Sequence, residues 1–342
     1  LLGGRLRLRG GGVALFRDES PLNPNEPGVD SRRASVEADW RRSITTAAGL
    51  RVEPLALVRA DAYSLSDAPG FDETVFRGTA TVGAEVKWPF IRRTRTGSIL
   101  LEPVVQVLLS PDADRSDDVP NEDSAVLSFD ETNLFREDRY PGFDRYEGGQ
   151  RVNVGGRATF DLGDGREATV FAGRSFRAKR DLTLAPTSGL REKASDYVVA
   201  ATANPLRGLY LVTRARLDGQ TGEVRRGEAV ATVDLGRARG ALRHWYDAAT
   251  PRGVRPHDLE FAGEVLVTRR WGMVFNATQD LEADVLRRGE LGLLYQDDCV
   301  RLEVVYEREE TFNRTLGPSE GVTVRLALAT LGISTQRDYD AR

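Results

Sequence analysis

The chain alternates apolar and polar residues over stretches long enough to fix its secondary structure. In residues 300–306, Val300, Leu302, Val304 and Tyr306 fall on one face and Arg301 and Glu303 on the other. Residues 322–328 repeat the pattern, with Val322, Val324, Leu326 and Leu328 on one side and Thr323, Arg325 and Ala327 on the other. Successive side chains of a strand point to opposite faces, so a period of two predicts strands here and not helix. About sixteen strands are predicted, at 4–17, 31–43, 46–66, 74–91, 96–110, 149–162, 166–177, 195–203, 208–218, 223–235, 239–248, 258–268, 271–280, 285–296, 299–310 and 320–331. Many are longer than the usual strand of about 5–6 residues. No segment predicts a helix.

The connections constrain the fold further. Every second one is short: RRSIT at 41–45, RRTRTG at 92–97, GDG at 163–165, NPLRG at 204–208, GRARG at 236–240, RRWG at 269–272 and QDDC at 296–299. Those between are mostly longer: 18–30, 66–73, 111–148, 178–194, 249–257 and 311–319, with short exceptions at 219–222 and 281–284. Short turns alternating with long loops are the pattern of an outer-membrane barrel, turns on the periplasmic side and loops outside. In hydrocarbon every backbone group must be paired internally, so a spanning sheet has to close on itself. One face then meets lipid and the other meets water, which is the alternation observed. Trp40, Trp88, Trp245 and Trp271 lie near strand ends, where an aromatic girdle is expected. The predicted fold class is therefore all-β, a transmembrane antiparallel β-barrel. A soluble propeller or a pair of sandwiches is the alternative, but a propeller has shorter strands and a four-stranded repeat, and no repeat recurs here.

Composition excludes other classes. No run of about 18 uncharged apolar residues is present, so no transmembrane helix is predicted. The net charge is −4 with both signs interspersed, which argues against a nucleic-acid partner. The chain starts at Leu1 without a charged n-region and apolar h-region, and is expected to be a mature or excised piece. If the last strand ends on the periplasmic side, loops 111–148 and 311–319 are extracellular and the QDDC turn with Cys299, the single cysteine, is periplasmic.

Candidate chemistry is sparse. His244 and His257 are the only histidines, and neither has an Asp or Ser at a spacing that suggests a catalytic base, so surface or girdle positions are expected and no catalytic residue is assigned. The acids of PDADRSDDVPNEDS (111–124) lack the spacing of a calcium loop, so no metal or other cofactor is expected. Gly163-Asp164-Gly165 is a tight hairpin turn. Ser319 to Leu326 resembles the last-strand signal read by the barrel-assembly machinery.

One stretch breaks the alternation: FDETNLFREDRYPGFDRYEGGQR, residues 129–151. Its Phe129, Asp130, Thr132, Asn133, Leu134, Phe135, Arg139, Gly142, Asp144, Arg145, Glu147, Gly149 and Arg151 resemble the FD-x-TNLF…R…G-x-DR-x-E-x-G-x-R signature of the LptD (organic solvent tolerance) family of lipopolysaccharide-assembly proteins. Tyr295-Gln296-Asp297-Asp298-Cys299, followed by Leu302, Val304, Val305, Tyr306, Glu307 and Arg308, is similar to the family's cysteine-bearing turn and penultimate strand. The resemblance implies a periplasmic jellyroll-like domain followed by a barrel of about 26 strands. Residues 1–342 would be the C-terminal part of that barrel, without the jellyroll and the first strands. It implies that the last strand, 320–331 with Val322, Val324, Leu326 and Leu328, is one lip of a lateral gate through which lipopolysaccharide leaves. It implies as partners an LptE-like plug lipoprotein, an LptA-like periplasmic bridge reached through the missing N-terminal domain, lipopolysaccharide itself, and the barrel-assembly machinery during folding. The implied place is the outer membrane of a Gram-negative bacterium and the implied role is transport, with no enzyme activity. Members of the family carry adjacent cysteines in the late turn. This chain has Cys299 alone, so a single disulfide to an upstream cysteine is expected. Loop 111–148 is expected to pack into the barrel mouth, which gives Phe129, Phe135 and Phe143 a use among the charges. A general or ligand-specific porin, and an outer-membrane hydrolase dependent on His244 or His257, are the competing readings.

Overall fold

In a computed structural model, residues 2–19, 28–113, 116–248, 255–310 and 317–328 are described. Their strands are β1 (Arg5–Leu15), β2 (Asp30–Arg41), β3 (Ile44–Thr45), β4 (Arg51–Ser66), β5 (Thr74–Lys87), β6 (Phe90–Arg93), β7 (Ser98–Leu109), β8 (Gln150–Gly163) and β9 (Arg166–Arg177). They continue as β10 (Tyr197–Leu206), β11 (Leu209–Leu217), β12 (Val224–Asp234), β13 (Ala238–Asp247), β14 (His257–Leu266), β15 (Trp271–Asp280), β16 (Val285–Gln296), β17 (Val300–Glu309) and β18 (Ser319–Leu328). All eighteen belong to one antiparallel sheet, and the helical structure among the described residues is two short 3-10 turns, at Ser116–Asp118 and Pro186–Ser188. Sixteen of the strands correspond one to one with the sixteen predicted from alternation. The other two, β3 and β6, are fragments set at strand ends.

The differences have local causes. The connection read at 41–45 runs on to Leu50, so β4 begins at Arg51 and not at 46. There Gly49 is left-handed (φ 80°), its N–H donating to Thr46 O at 2.9 Å, and Leu50 N–H donates to Thr46 Oγ1 at 3.1 Å. β5 stops at Lys87 because Pro89, just beyond it, has no N–H for the ladder. The GDG turn has three consecutive left-handed residues, Gly163, Asp164 and Gly165, which explains the two glycines. Residues 329–331 of the predicted last strand, and parts of the predicted loops at 18–30, 111–148, 249–257 and 311–319, lie outside the described residues.

The chain divides into two compact units, Leu1–Ile91 with Leu100–Ala158 and Phe171–Val198, and Arg92–Ile99 with Thr159–Val170 and Val199–Arg342. In the first, registers place Ser35 opposite Asp61 and Asp61 opposite Arg77, so polar side chains of β2, β4 and β5 form one face. Val36, Val58, Phe76 and Val82 stand exposed on the other face. The polar face is covered by the segment between β7 and β8, whose Val119 packs with Tyr63 and Val75.

The second unit shows the same division. Phe261, Phe275, Leu291, Tyr306 and Val322 follow one another across β14 to β18 on the apolar face, with the first two rings stacked at 4.9 Å. On the opposite face Arg301 bonds Glu264 and Glu303 at 2.7 Å each, and Arg325 on β18 reaches Glu303 and Glu290 at 3.5 Å. Val274, Leu294 and Val305 form a small apolar cluster there. Gly292 lies between Val274 and Val305 in register, and a Cβ on it would sit 2.7 Å from Val305 Cγ2. Trp40, Trp88 and Trp271 hold strand-end positions as expected. Trp245 departs from the girdle: it lies opposite Glu228 and Asp258 on the polar face, under the Arg226 guanidinium at 4.5 Å.

Candidate functional site

Among its described residues, the segment between β7 and β8 has almost no regular secondary structure. It must therefore satisfy its backbone groups with side chains, because buried peptide groups left unpaired are costly. The signature residues do this. Asp130 Oδ1 accepts from Thr132 N–H at 2.9 Å and Thr132 Oγ1 at 2.6 Å, and Asp130 N–H donates to Asn133 Oδ1 at 3.1 Å, which closes a turn. That turn delivers Leu134 and Phe135 onto β8 and β9. The recess receiving them is made by glycine: a Cβ on Gly173 would lie 2.3 Å from Leu134 Cδ2, and one on Gly155 would lie 3.2 Å from Phe135 Cζ. Phe135 meets Phe171 edge-on at 6.3 Å. Phe129 and Leu134 have no exposed surface.

Beside this recess lies a buried ion cluster. Glu147 Oε1 accepts from Arg139 at 2.6 Å and from Arg177 at 2.5 Å, and lies 3.6 Å from Arg151. The side chains of Arg139, Glu147 and Arg151 are fully buried. Burial pushes the Glu147 carboxyl up, but the three guanidinium groups outweigh it and hold the group at about 2. The same arginines also donate to backbone. Arg139 donates to Asn133 O at 3.1 Å and Leu134 O at 2.7 Å, Arg151 to Glu147 O at 2.8 Å and to Glu137 O, and Arg177 to Gly148 O at 2.8 Å. Arg139 also reaches Asn153 Oδ1 at 2.7 Å, and Asn153 Nδ2 continues to Gln106 Oε1 at 2.7 Å. The Arg139 guanidinium lies over the Phe129 ring at 5.3 Å.

A second cluster fixes the other end of the stretch. Asp144 Oδ1 accepts from Arg33 at 2.6 Å and Tyr63 OH at 3.1 Å, while Oδ2 accepts the N–H groups of Glu122 at 2.7 Å and Asp123 at 3.1 Å. Asp123 answers by accepting the N–H groups of Phe143 and Asp144 at 3.0 Å and Arg33 at 2.7 Å. Burial opposes the charge on Asp123, and those N–H groups with Arg33 hold its carboxyl well below the usual range. Gly142 is required by this fold, since a Cβ there would lie 2.1 Å from the Asp123 carboxyl. Arg77 donates to Asp144 O at 2.7 Å and to Phe143 O, and Arg145 donates to Val119 O at 3.0 Å. Phe143 lies between the guanidinium groups of Arg33 and Arg59, at 5.3 and 5.1 Å. Asp138 is different: burial is its largest influence and carries the carboxyl up to about 6, although Arg59 pulls against it.

The other predicted residues lie apart from this site. Cys299 is an exposed free cysteine in the turn after β16, where Asp297 Oδ1 accepts the N–H groups of Cys299 and Val300 at 2.9 Å. Val322, Val324, Leu326 and Leu328 project from the apolar face of β18, opposite Tyr306, Val304, Leu302 and Val300. His244 and His257 contact each other, Nε2 to Nε2 at 3.1 Å, across β13 and β14. Among the described residues no group of three or more His, Cys, Asp or Glu is arranged to hold a metal. Sequence reasoning missed the partners supplied by strands: Arg33, Arg59, Arg77, Arg177, Asn153 and the glycine pair. Only their polar alternation was visible.

The geometry makes the signature a single folded object, and its match to known proteins can be stated on that basis. The family LptD, LPS transport system D, matches residues 11–271. The chain belongs to the LptD family. The LPS-assembly protein LptD of Thiobacillus denitrificans is 24% identical over 259 residues, covering 73% of this chain and 34% of the relative. That of Alkalilimnicola ehrlichii is 34% identical over 157 residues, 42% of this chain and 21% of the relative. The chain thus spans about a third or less of the curated LptD relatives it matches. Among solved structures, a mutant of Rh. blastica porin aligns over 94% of this chain and 100% of that one, at 11% identity and a TM-score of 0.33. That likeness is weak, and membership of the LptD family rests on the sequence match.

Proposed function

We propose that the chain is the C-terminal part of an outer-membrane translocon that assembles lipopolysaccharide into the outer leaflet of a Gram-negative bacterium. The observation that carries this reading is the signature stretch 129–151, in a chain matched by the LptD family over residues 11–271 and folded around two ion clusters. In this reading the sheet closes into a barrel with strands that precede this chain. The polar face lines the lumen through which the sugars pass, and the apolar face meets lipid. Lipid A leaves laterally between the first strand of the full barrel and β18, past Val322, Val324, Leu326 and Leu328. The segment 111–148 is an extracellular loop folded into the barrel mouth. Cys299 is periplasmic and bonds a cysteine upstream of this chain. An LptE-like lipoprotein plugs the barrel, an LptA-like bridge delivers cargo to the periplasmic domain, and the barrel-assembly machinery inserts the protein. No bond of the cargo is made or broken by the chain.

The test is depletion of the full-length protein with surface lipopolysaccharide as the readout. Loss of surface lipopolysaccharide is expected, and unchanged levels would reject the assembly role. A porin would instead give steady ion conductance that needs neither a periplasmic arm nor a plug protein.

A further inference from the structure

Beneath the folded segment, on the polar face of β1, β2 and β4, lies a groove of about 550 Å³. That volume falls in the range of sites that hold small ligands, about 300–1,000 Å³. Six arginines line it against four carboxylates. The carboxylates are all engaged: Glu37 with Arg9 at 3.5 Å, Asp39 with Arg41 at 3.1 Å, Glu137 with Arg41 at 2.8 Å and Asp138 with Arg59 at 3.5 Å. Arg5, Arg7 and Arg136 are left, and each has an exposed side chain and no acidic partner among the described residues. Arg5 and Arg7 are two apart on β1 and so project to the same face, opposite Arg41 and Asp39. Arg136 approaches from the folded segment.

An excess of guanidinium groups in a concave site is a match for planar or tetrahedral oxyanions, because the guanidinium fork bonds phosphate and carboxylate through paired N–H groups. We infer that this groove binds phosphate- or carboxylate-bearing sugars, with Arg5, Arg7 and Arg136 as the anion contacts. If the chain handles lipopolysaccharide as proposed above, the ligand is the anionic, sugar-rich inner portion of that cargo, held on its way along the polar face. Arg9, Arg41 and Arg59 shape the groove through their own ion pairs and contribute no free charge.

The test uses the full-length protein in detergent and three probes: a phosphorylated core oligosaccharide, the same oligosaccharide with its phosphates removed, and inorganic phosphate. The triple variant Arg5→Gln, Arg7→Gln, Arg136→Gln is compared with Arg92→Gln, Arg93→Gln, Arg95→Gln, which removes the same charge from the exposed end of β6 and the turn that follows it. The phosphorylated oligosaccharide is expected to bind the groove variant at least tenfold more weakly than the unchanged protein, and to bind the turn variant as it binds the unchanged protein. The dephosphorylated sugar and inorganic phosphate are expected to bind weakly throughout. Equal binding by the groove variant and the unchanged protein overturns the site, as does an equal loss in both variants. Inorganic phosphate bound as tightly as the oligosaccharide overturns the sugar ligand. A Lys triple variant at the same positions guards against misfolding: it keeps the charge without the fork, and intermediate binding is expected, whereas loss as complete as in the Gln variant counts against the site. The binding readout is independent of export, so groove binding that survives alongside unchanged surface lipopolysaccharide on depletion rejects the translocon and keeps the site.

Discussion

Replacing Glu147 by Gln removes one negative charge from among three guanidinium groups. Arg139 and Arg151 have no exposed side-chain surface and Arg177 has 4%. Removing one partner of a buried ion pair costs about 3–5 kcal/mol, because the other charge stays buried without compensation. A second route gives a similar size. The Glu147 carboxyl is held at about 2 against an ordinary 4.5, and at about 1.4 kcal/mol for each pH unit that is roughly 3 kcal/mol of preference for the folded, ionised form. Arg177 keeps Asp181 at 2.9 Å, and the amide oxygen of Gln still accepts one hydrogen bond, so the full upper limit is not expected. A loss of about 3 kcal/mol raises the opening constant of the segment by roughly two orders of magnitude. The surrounding sheet is expected to hold, since segments open with free energies well below that of global unfolding. Hydrogen exchange on peptides spanning 129–151 of the full-length protein reads this directly. Protection within tenfold of the unchanged protein would refute the view that Glu147 is the keystone of the cluster. A double-mutant cycle with Arg139→Met sharpens the test, since the two losses must fall well short of additive if the charges act on each other.

Gly173→Ala is expected to displace Leu134, whose Cδ2 would lie 2.3 Å from the new Cβ, at a cost of about 1–3 kcal/mol. Trimming Leu134 to Ala in the same protein should restore part of the lost exchange protection, and a single variant as protected as the parent would refute the recess. Asp138 titrates near 6, above its ordinary 3.8, so the folded segment prefers the protonated acid. The stability it adds is full below about pH 3.8 and lost as the pH rises through about 6. Protection should thus increase from pH 7 to pH 5, and Asp138→Asn should flatten that change. Glu147 has the opposite sign: its contribution is complete above 4.5 and lost only as the pH falls through about 2. Mass spectrometry of the full-length protein under non-reducing conditions should find Cys299 in a disulfide with an upstream cysteine, and a free thiol there would remove the proposed link.

The strands were legible because a half-buried sheet writes its two faces directly into a period of two. Val300 to Tyr306 shows this: Val300, Leu302, Val304 and Tyr306 share the apolar face, and of the odd-numbered positions Arg301 and Glu303 are polar while Val305 joins the small cluster on the other face. Their ends were less legible, because Gly49 and Pro89 act through backbone geometry that alternation does not register. Trp245 was misplaced for a related reason. Its position near a strand end was readable, but which face it took depended on register with Glu228 and Asp258. The signature stretch was recognisable as a string, and its contacts were not. Glu147 finds Arg177 thirty residues away, and Asp144 finds Arg33 at a separation of 111, so only the folded chain brings the charges together.

The guanidinium groups around the signature stretch bond to peptide carbonyls as much as to carboxylates. Asn133, Leu134, Glu137, Phe143, Asp144 and Gly148 all have their carbonyl oxygens met by arginine. Each arginine thus measures a distance along the backbone, as a ladder partner does in a strand. A surface loop ordinarily tolerates insertions because nothing along it is counted. Here one added residue between Arg139 and Glu147 puts donors and carbonyls out of step at both ends, so this loop has a fixed length in the way that a strand has a fixed register.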